Sequence, residues 1–258
     1  MQIERLAVGE GFNPEIGFVR RRDITSSHAQ FRFSPRPSKR FTAVRKFTYS
    51  GFFKQLEDGS GRRVWRDAEA EHNIEFHNGD RFLVNAMRFY EYLPVAFPIA
   101  AGVTLPVGGY DFSNVKVGYN LGPKRRISGS FSVERGTFYN GHKTSVTLSR
   151  GRTKFSTRLS AEPTYALNKV ELLQGSFTNH LLGTRATYSI APLMFVSALI
   201  QYNSARKALS SNVRLRWEYR SGSELFVVYN EERDTRPSGF PMMKNKALIV
   251  KTNRLFRF

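Results

Sequence analysis

Histidine and carboxylate side chains crowd together at one place in the sequence, between positions 67 and 77. His72 and His77 lie there beside Glu71 and Glu75, and these residue types are common ligands of zinc. A metal site needs converging ligands, but neighbours on a β-strand point to opposite faces, so Glu71 and His72 cannot both face one ion. The chain also has no cysteine, which excludes thiolate metal sites, disulfides and cysteine nucleophiles. We therefore expect no metal and no cofactor, and interpret these histidines as rim or interface residues.

The same segment carries a row of acidic residues that alternate with other residue types. Residues two apart on a strand lie about 6.5–7 Å apart, and glycoside hydrolases place their two carboxylates roughly 5–9.5 Å apart. The spacing thus permits a glycoside-acting hydrolase, but any polar strand face produces it. No Ser/His/Asp order, phosphate-binding glycine loop or nucleotide fingerprint accompanies it. We favour a non-enzymatic polar wall, with arginines paired to these candidate interior residues: Asp67, Glu69, Glu71 and Glu75.

A motif-like stretch lies within positions 9–26. It could form a loop that folds inward, where it would narrow a pore or hold a ligand. The alternative, which we favour, is a structural turn in which Pro14 fixes the backbone and the arginines pair with interior carboxylates. The candidate residues of this loop are Asn13, Glu15, Arg20, Arg21, Arg22 and Asp23.

Apolar and polar residues alternate with a period of two along most of the chain, which is typical of strands with two different faces. In the clearest case, apolar side chains occupy every second position from Val213 to Tyr219. The intervening positions hold further candidate interior residues, namely Arg214, Arg216 and Glu218.

Turn dipeptides such as Asn78-Gly79 and Asn140-Gly141 separate the alternating runs, and no long amphipathic helix is visible. The pattern predicts about fourteen strands. We place them at 2–8, 27–34, 40–56, 63–77, 80–92, 110–120, 126–136, 144–150, 153–162, 177–190, 194–203, 211–220, 224–231 and 246–258.

The predicted connections alternate in length when they are counted back from the C-terminus: 232–245, 204–210 and 163–176 are long, while 221–223, 191–193 and 151–152 are short. Membrane barrels show this alternation because one rim carries loops and the other tight turns. The sequence contains no run of 18 apolar residues, so it predicts no membrane-spanning helix. We expect an all-β, antiparallel up-and-down transmembrane β-barrel of about 14 strands (12–16), formed by residues 1–258. Candidate residues of the aromatic girdle are Tyr188, Tyr202, Trp217, Tyr219, Phe256 and Phe258.

The net charge of +19 points to polyanionic partners. Nucleic acid is an unfavourable candidate, because strand alternation sends basic residues and aromatics such as Phe31 and Phe33 to opposite faces, whereas base stacking needs them together. We expect the excess charge to line the interior and to face lipopolysaccharide phosphates at the outer rim. A soluble basic β-protein that binds polyanions stays an alternative.

Four long segments carry a resemblance to a known family: VGEGFNPEIGFVRRRD (8–23), GSFTNHLLGTRATYS (175–189), SNVRLRWEYRSGSELFVVYNEERDT (211–235) and KALIVKTNRLFRF (246–258). With them the chain resembles the bacterial outer-membrane proteins of the domain of unknown function 5916 family. In that family a carbohydrate-binding-module-like domain precedes the barrel, and this sequence matches the barrel part alone. The last segment departs from the usual apolar pattern at Thr252 and Arg254.

The resemblance implies a location in the bacterial outer membrane, as the C-terminal portion of a longer architecture. The first residues, MQIERLAVGEGF, do not resemble a secretory signal, so we expect either a mature or truncated product or an export signal upstream of Met1. The function expected is a passive channel or surface scaffold linked to carbohydrate binding or uptake. Expected partners are outer-membrane lipid, lipopolysaccharide, carbohydrate, and the barrel-assembly machinery through the C-terminal strand.

Overall fold

The computed structural model of the chain describes residues 1–13, 15, 22–37, 41–123, 125, 128–237 and 239–256. Within these residues the chain forms strands, turns and irregular segments, and no helix is long and apolar enough to cross a membrane. The strands are β1 (Gln2–Val8), β2 (Ile24–Phe33), β3 (Val44–Asp58), β4 (Arg63–Phe76), β5 (Arg81–Leu93), β6 (Phe97–Ala100), β7 (Val103–Leu105), β8 (Gly108–Leu121), β9 (Gly129–Phe138), β10 (Gly141–Arg150), β11 (Thr153–Lys154), β12 (Leu159–Leu172), β13 (Gly175–Ala191), β14 (Met194–Asn203), β15 (Ala208–Arg220), β16 (Ser223–Asp234) and β17 (Met242–Asn253).

One large sheet contains fifteen of these strands. Its order is β1-β2-β3-β4-β5-β8-β9-β10-β12-β13-β14-β15-β16-β17, with β11 paired to β12 beside this path, and β6 and β7 form a separate hairpin. Each strand of the path pairs with the strands that precede and follow it on the path, so the sheet is an antiparallel meander. The predicted all-β, antiparallel up-and-down fold is confirmed at this level. The path begins at β1 and ends at β17, and no pairing joins these two strands among the described residues.

One predicted strand and its connection are wrong. We expected a strand at 153–162 and a long loop at 163–176, but β12 runs from Leu159 to Leu172 and only residues 173–174 link it to β13. The connection expected to be short, at 151–152, extends over residues 151–158 and contains β11. Pro163 lies exposed within β12, and the neighbouring Thr164 hydroxyl donates to the Gly183 carbonyl (3.3 Å). Long and short connections therefore do not alternate throughout the chain.

The described chain divides into two compact units, each built from several segments. The first unit comprises Met1–Asn120, Ser132–Ser145 and Lys169–Phe177, and the second Leu121–Phe131, Val146–Asn168 and Thr178–Phe258.

In the first unit, the strand register separates an apolar from a polar face. One row of neighbours across five strands consists of Phe31, Gly51, Ala70, Ala86 and Val115. The adjacent row, which points to the other side of the sheet, consists of Arg32, Ser50, Glu71, Asn85 and Lys116.

The second unit is divided in the same way. An apolar row contains Ala186, Ala198, Val213, Tyr229 and Leu248. The adjacent row on the other side contains Thr187, Ser197, Arg214, Val228 and Ile249, and is more polar.

Few apolar side chains are buried in the described part of the chain. They are Val44, Leu93, Val103, Leu105, Phe112, Val170 and Ala208. By contrast, large side chains of the apolar faces, such as Val115 and Trp217, are about half exposed to solvent, at 50% and 43%. A soluble sheet covers such a face with a second layer.

Candidate functional site

The acidic residues of β4 lie together on the polar face of the first unit. Asp67, Glu69, Glu71 and Glu75 occupy alternate positions of β4 and so point to one side of the sheet. The register places basic side chains opposite two of them, because Glu75 pairs with Lys46 and Arg81, and Asp67 pairs with Lys54. Basic side chains therefore lie beside the two ends of the acidic row, while the partners of Glu69 and Glu71 are uncharged.

Direct contacts tie two members of the row to their neighbours. Glu75 accepts a hydrogen bond from the Arg45 guanidinium (2.8 Å) and lies 3.6 Å from the Lys46 ammonium. Glu69 accepts a hydrogen bond from the side-chain amide of Asn85 (3.1 Å). The row is thus partly neutralised, as an arginine-paired and lysine-paired wall would be.

A polar cleft of about 660 Å³ opens along this face. Glu71, Asn73 and Glu75 form one side, and Gln30 and Arg32 are among the side chains that face them. The amide of Gln30 donates to Gln2 across β1 and β2 (2.8 Å). The cleft offers carboxylates, amides, hydroxyls and cations to a bound or passing molecule. Such a lining suits hydrated polar solutes rather than apolar ligands.

The histidines lie apart from this row. His72 projects to the apolar side of β4, where its ring stacks on Tyr49 (centroids 4.6 Å apart) and on Phe47 (6.0 Å). His77 lies in the turn after β4, and its backbone amide donates to Ala43. Among the described residues, no three histidine, aspartate or glutamate side chains are placed to hold a metal ion.

The predicted interior residues of the second unit have structural partners. Arg216 pairs with Glu224 across the β15–β16 hairpin. Glu218 accepts a hydrogen bond from the Gly222 amide (3.1 Å) and so closes the two-residue turn at 221–222. Arg214 lies exposed on the more polar face. A cleft of about 450 Å³ in this unit is lined by other side chains, including Gln201, Asn203, Arg206, Ser210 and Glu232.

The candidate girdle residues lie at both ends of the second unit's apolar face. Tyr188 and Trp217 lie toward the end that also carries residues 192–193 and 221–222, and Trp217 contacts Tyr219 edge to face (5.9 Å). Tyr202 lies toward the opposite end, beside Asn203. Phe256 is exposed under the Arg254 guanidinium, and Phe258 lies outside the described residues.

The loop expected at 9–26 is described only in part. Arg20 and Arg21 lie outside the described residues, and Asn13 accepts a hydrogen bond from the Glu15 amide in a tight turn (3.3 Å). Asp23 lies directly over Gly59 of the β3–β4 turn, where a Cβ atom would approach its carboxylate to 1.9 Å. None of the described residues of this loop, Arg22 included, lines the polar cleft.

Sequence reasoning missed the β6–β7 hairpin, which lies within a segment expected to be a long connection. Its residues Val103 and Leu105 are buried, at 5% and 0% exposure. The signal was present as alternating apolar residues on either side of Gly102, which adopts a positive φ of 76°.

An aromatic cluster belongs to the same unit. Phe112 contacts Phe89, Phe138 and Tyr139, with ring centroids 5.1–5.6 Å apart. The Tyr139 hydroxyl donates to Glu91 (2.8 Å), and burial together with this carboxylate raises the pKa of Tyr139. The first unit thus contains an apolar aromatic cluster in addition to the polar cleft.

Comparison of the chain with protein-family profiles, with curated proteins and with solved structures finds no match in any of the three. The resemblance to the 5916 family stays a prediction.

Proposed function

We propose that the chain is an outer-membrane β-barrel that acts as a passive channel or surface scaffold. In this proposal the meander sheet closes on itself, its apolar faces contact lipid, and its polar faces line a hydrated interior. The resemblance to the 5916 family adds carbohydrate as the solute to be bound or taken up.

The exposure of the apolar faces carries the proposal. Transfer of each large apolar side chain out of water is worth about 1.5–3 kcal/mol. The described chain leaves many of them uncovered, including Ile200, Trp217, Leu248 and Val250, while few apolar residues are buried. Contiguous apolar patches of this kind mark a surface that another apolar phase covers. The acyl chains of a lipid bilayer can cover the apolar face of every strand in the sheet.

Closure of the sheet into a barrel is part of the proposal, because the two edge strands would otherwise face lipid unpaired. All twelve residues of β17 and six of the seven in β1 are exposed. Hydrocarbon offers no hydrogen-bond partner to an open strand edge, so only closed barrels are stable among membrane sheets. In the proposed barrel β1 and β17 therefore pair with each other.

The polar clefts support passive passage rather than tight capture. Glu75 is bound to two cations, whereas the partner of Glu69 is an uncharged amide, so the charges along β4 are only partly neutralised within the wall. A partly neutralised acidic wall favours cations over anions without binding them tightly, and it can exchange hydrogen bonds with a passing hydroxylated solute.

The test uses the full chain purified in detergent. A closed barrel migrates faster on a denaturing gel before boiling than after it, and conducts ions across a planar bilayer when its interior is open. Heat-modifiable migration without conductance would indicate a scaffold or plugged barrel. A chain that stays soluble and monomeric without detergent and shows neither property would refute the proposal.

A further inference from the structure

A strongly basic hairpin lies at one end of the second unit. The segment 150–158 begins at Arg150, the last residue of β10, and continues through the connection to β12, which contains β11; it carries Arg150, Arg152, Lys154 and Arg158. No aspartate or glutamate occurs from position 150 to position 161. We call this segment the basic hairpin.

Hydrogen bonds fix the shape of the basic hairpin. The Phe155 amide donates to the Leu159 carbonyl (2.9 Å), and the Ser156 hydroxyl accepts from the backbone amides of Arg158 (3.2 Å) and Leu159 (3.0 Å). The Arg158 carbonyl accepts from the Ser189 amide, which ties the hairpin to β13 (2.8 Å). The exposed cations of the basic hairpin are therefore presented on a defined backbone.

These cations lack acidic partners among the described residues, unlike several cations at the other end of the same unit. There, Asp234 binds Arg236 (2.6 Å) and Lys244 (3.5 Å), and Glu231 binds Arg233. Lys154 and Arg158 are exposed, and no acid contacts them in the described part of the chain. Their charge is thus available to a partner outside the protein.

Exposed apolar side chains accompany the cations. Phe155, between Lys154 and Arg158, is 67% exposed. Leu193 and Trp217 are also exposed at the same end of the strands. Aromatic and basic residues side by side are typical of the boundary between lipid and water, where rings enter the headgroup layer and cations meet phosphates.

We propose that the basic hairpin binds the phosphates of anionic phospholipid headgroups at the membrane surface. This inference rests on the proposed membrane location but specifies the lipid and the end of the strands that meets it. The geometry favours a membrane over nucleic acid, because Phe155 and Leu193 find an apolar layer beneath the phosphates.

The experiment compares two charge-matched variants of the full chain. K154Q/R158Q removes two cations from the basic hairpin, and R206Q/K207Q removes two exposed cations from the turn at the opposite end of the strands. Each protein is diluted from detergent onto vesicles of phosphatidylcholine alone, or with about one third phosphatidylglycerol, and the bound fraction is measured by sedimentation.

Removal of two cations near an anionic surface should weaken partition to the anionic vesicles about 30-fold for K154Q/R158Q. R206Q/K207Q should change it less than about twofold, because Glu231, Glu232 and Asp234 lie at the same end and offset its positive charge. Binding to phosphatidylcholine alone should be equal in all proteins. Equal losses in both variants, or no loss in K154Q/R158Q, would overturn the inference. So would preferential binding to double-stranded DNA that abolishes vesicle binding.

Heat-modifiable migration measured on the same samples separates this inference from the proposed function. A heat-modifiable chain without a phosphatidylglycerol preference refutes the lipid inference alone. A chain that prefers anionic vesicles through Lys154 and Arg158 but never becomes heat-modifiable refutes the barrel and retains the lipid site.

Discussion

Adjacent residues of β17 offer a direct test of which side of the sheet meets lipid. Leu248 and Ile249 follow one another, are both exposed (66% and 54%), and point to opposite faces. Leu248 belongs to the apolar row with Tyr229 and Val213, whereas Ile249 belongs to the row with Arg214. The substitutions L248K and I249K therefore differ mainly in the face that receives the charge.

The expected magnitudes follow from these positions. A lysine on the lipid face of a barrel costs about 2–4 kcal/mol near the middle of the bilayer, and Leu248 lies near the middle of β17. The same lysine on the interior face meets water, so I249K should cost less than about 1 kcal/mol. In a water-soluble sheet both sites are exposed, and both substitutions would change stability by no more than about 0.5 kcal/mol.

The assay is equilibrium unfolding by urea in lipid vesicles, followed by tryptophan fluorescence. Trp217 lies on the same apolar face as Leu248 and reports on its contact with lipid. The reasoning would be refuted by equal losses in L248K and I249K, or by an L248K protein as stable as the unsubstituted chain.

Three further predictions concern closure, charge and packing. Because the chain has no cysteine, disulfides can be introduced in a defined way: E4C is combined in turn with a cysteine at each of positions 246–252. At least one of these double variants should form a disulfide when folded in detergent. No disulfide in any of them would argue against pairing of β1 with β17. The substitution E71Q removes one carboxylate from the polar cleft and should lower the cation-to-anion permeability ratio in planar bilayers; an unchanged ratio would mean that ions pass elsewhere. G136A places a Cβ atom 2.0 Å from a backbone oxygen of β8 and should lower the free energy of urea unfolding by about 1–3 kcal/mol. The control G11A has open space around the new Cβ atom and should change this free energy little. Similar values for both variants would contradict the packing described.

The strands with clean alternation could be predicted from the sequence. From Val213 to Trp217 successive side chains point to opposite sides of the sheet. The apolar residues therefore lie on one face and the arginines on the other, as the alternation in the sequence predicts. β12 was misplaced because apolar and polar residues do not alternate regularly along it, so the local pattern predicted a loop after residue 162, whereas pairing with neighbouring strands imposes a strand.

The candidate site was predictable only up to a point. Alternation alone placed the β4 carboxylates on one face, but it could not show that Gln2 and Gln30 meet across β1 and β2, because that contact depends on register. The β6–β7 hairpin was missed because its strands have only four and three residues, too few for the alternation around Gly102 to stand out.

Pairing between neighbours along the chain has a consequence for how the sheet forms and how its length can change. Each hairpin brings together residues that are close in sequence, so the entropy lost per step is small and strands can add in order behind a growing template. Insertion or loss of one whole hairpin would keep every remaining strand beside a neighbour of the correct direction. The sheet can therefore become wider or narrower by two strands at a time while its remaining pairings stay the same.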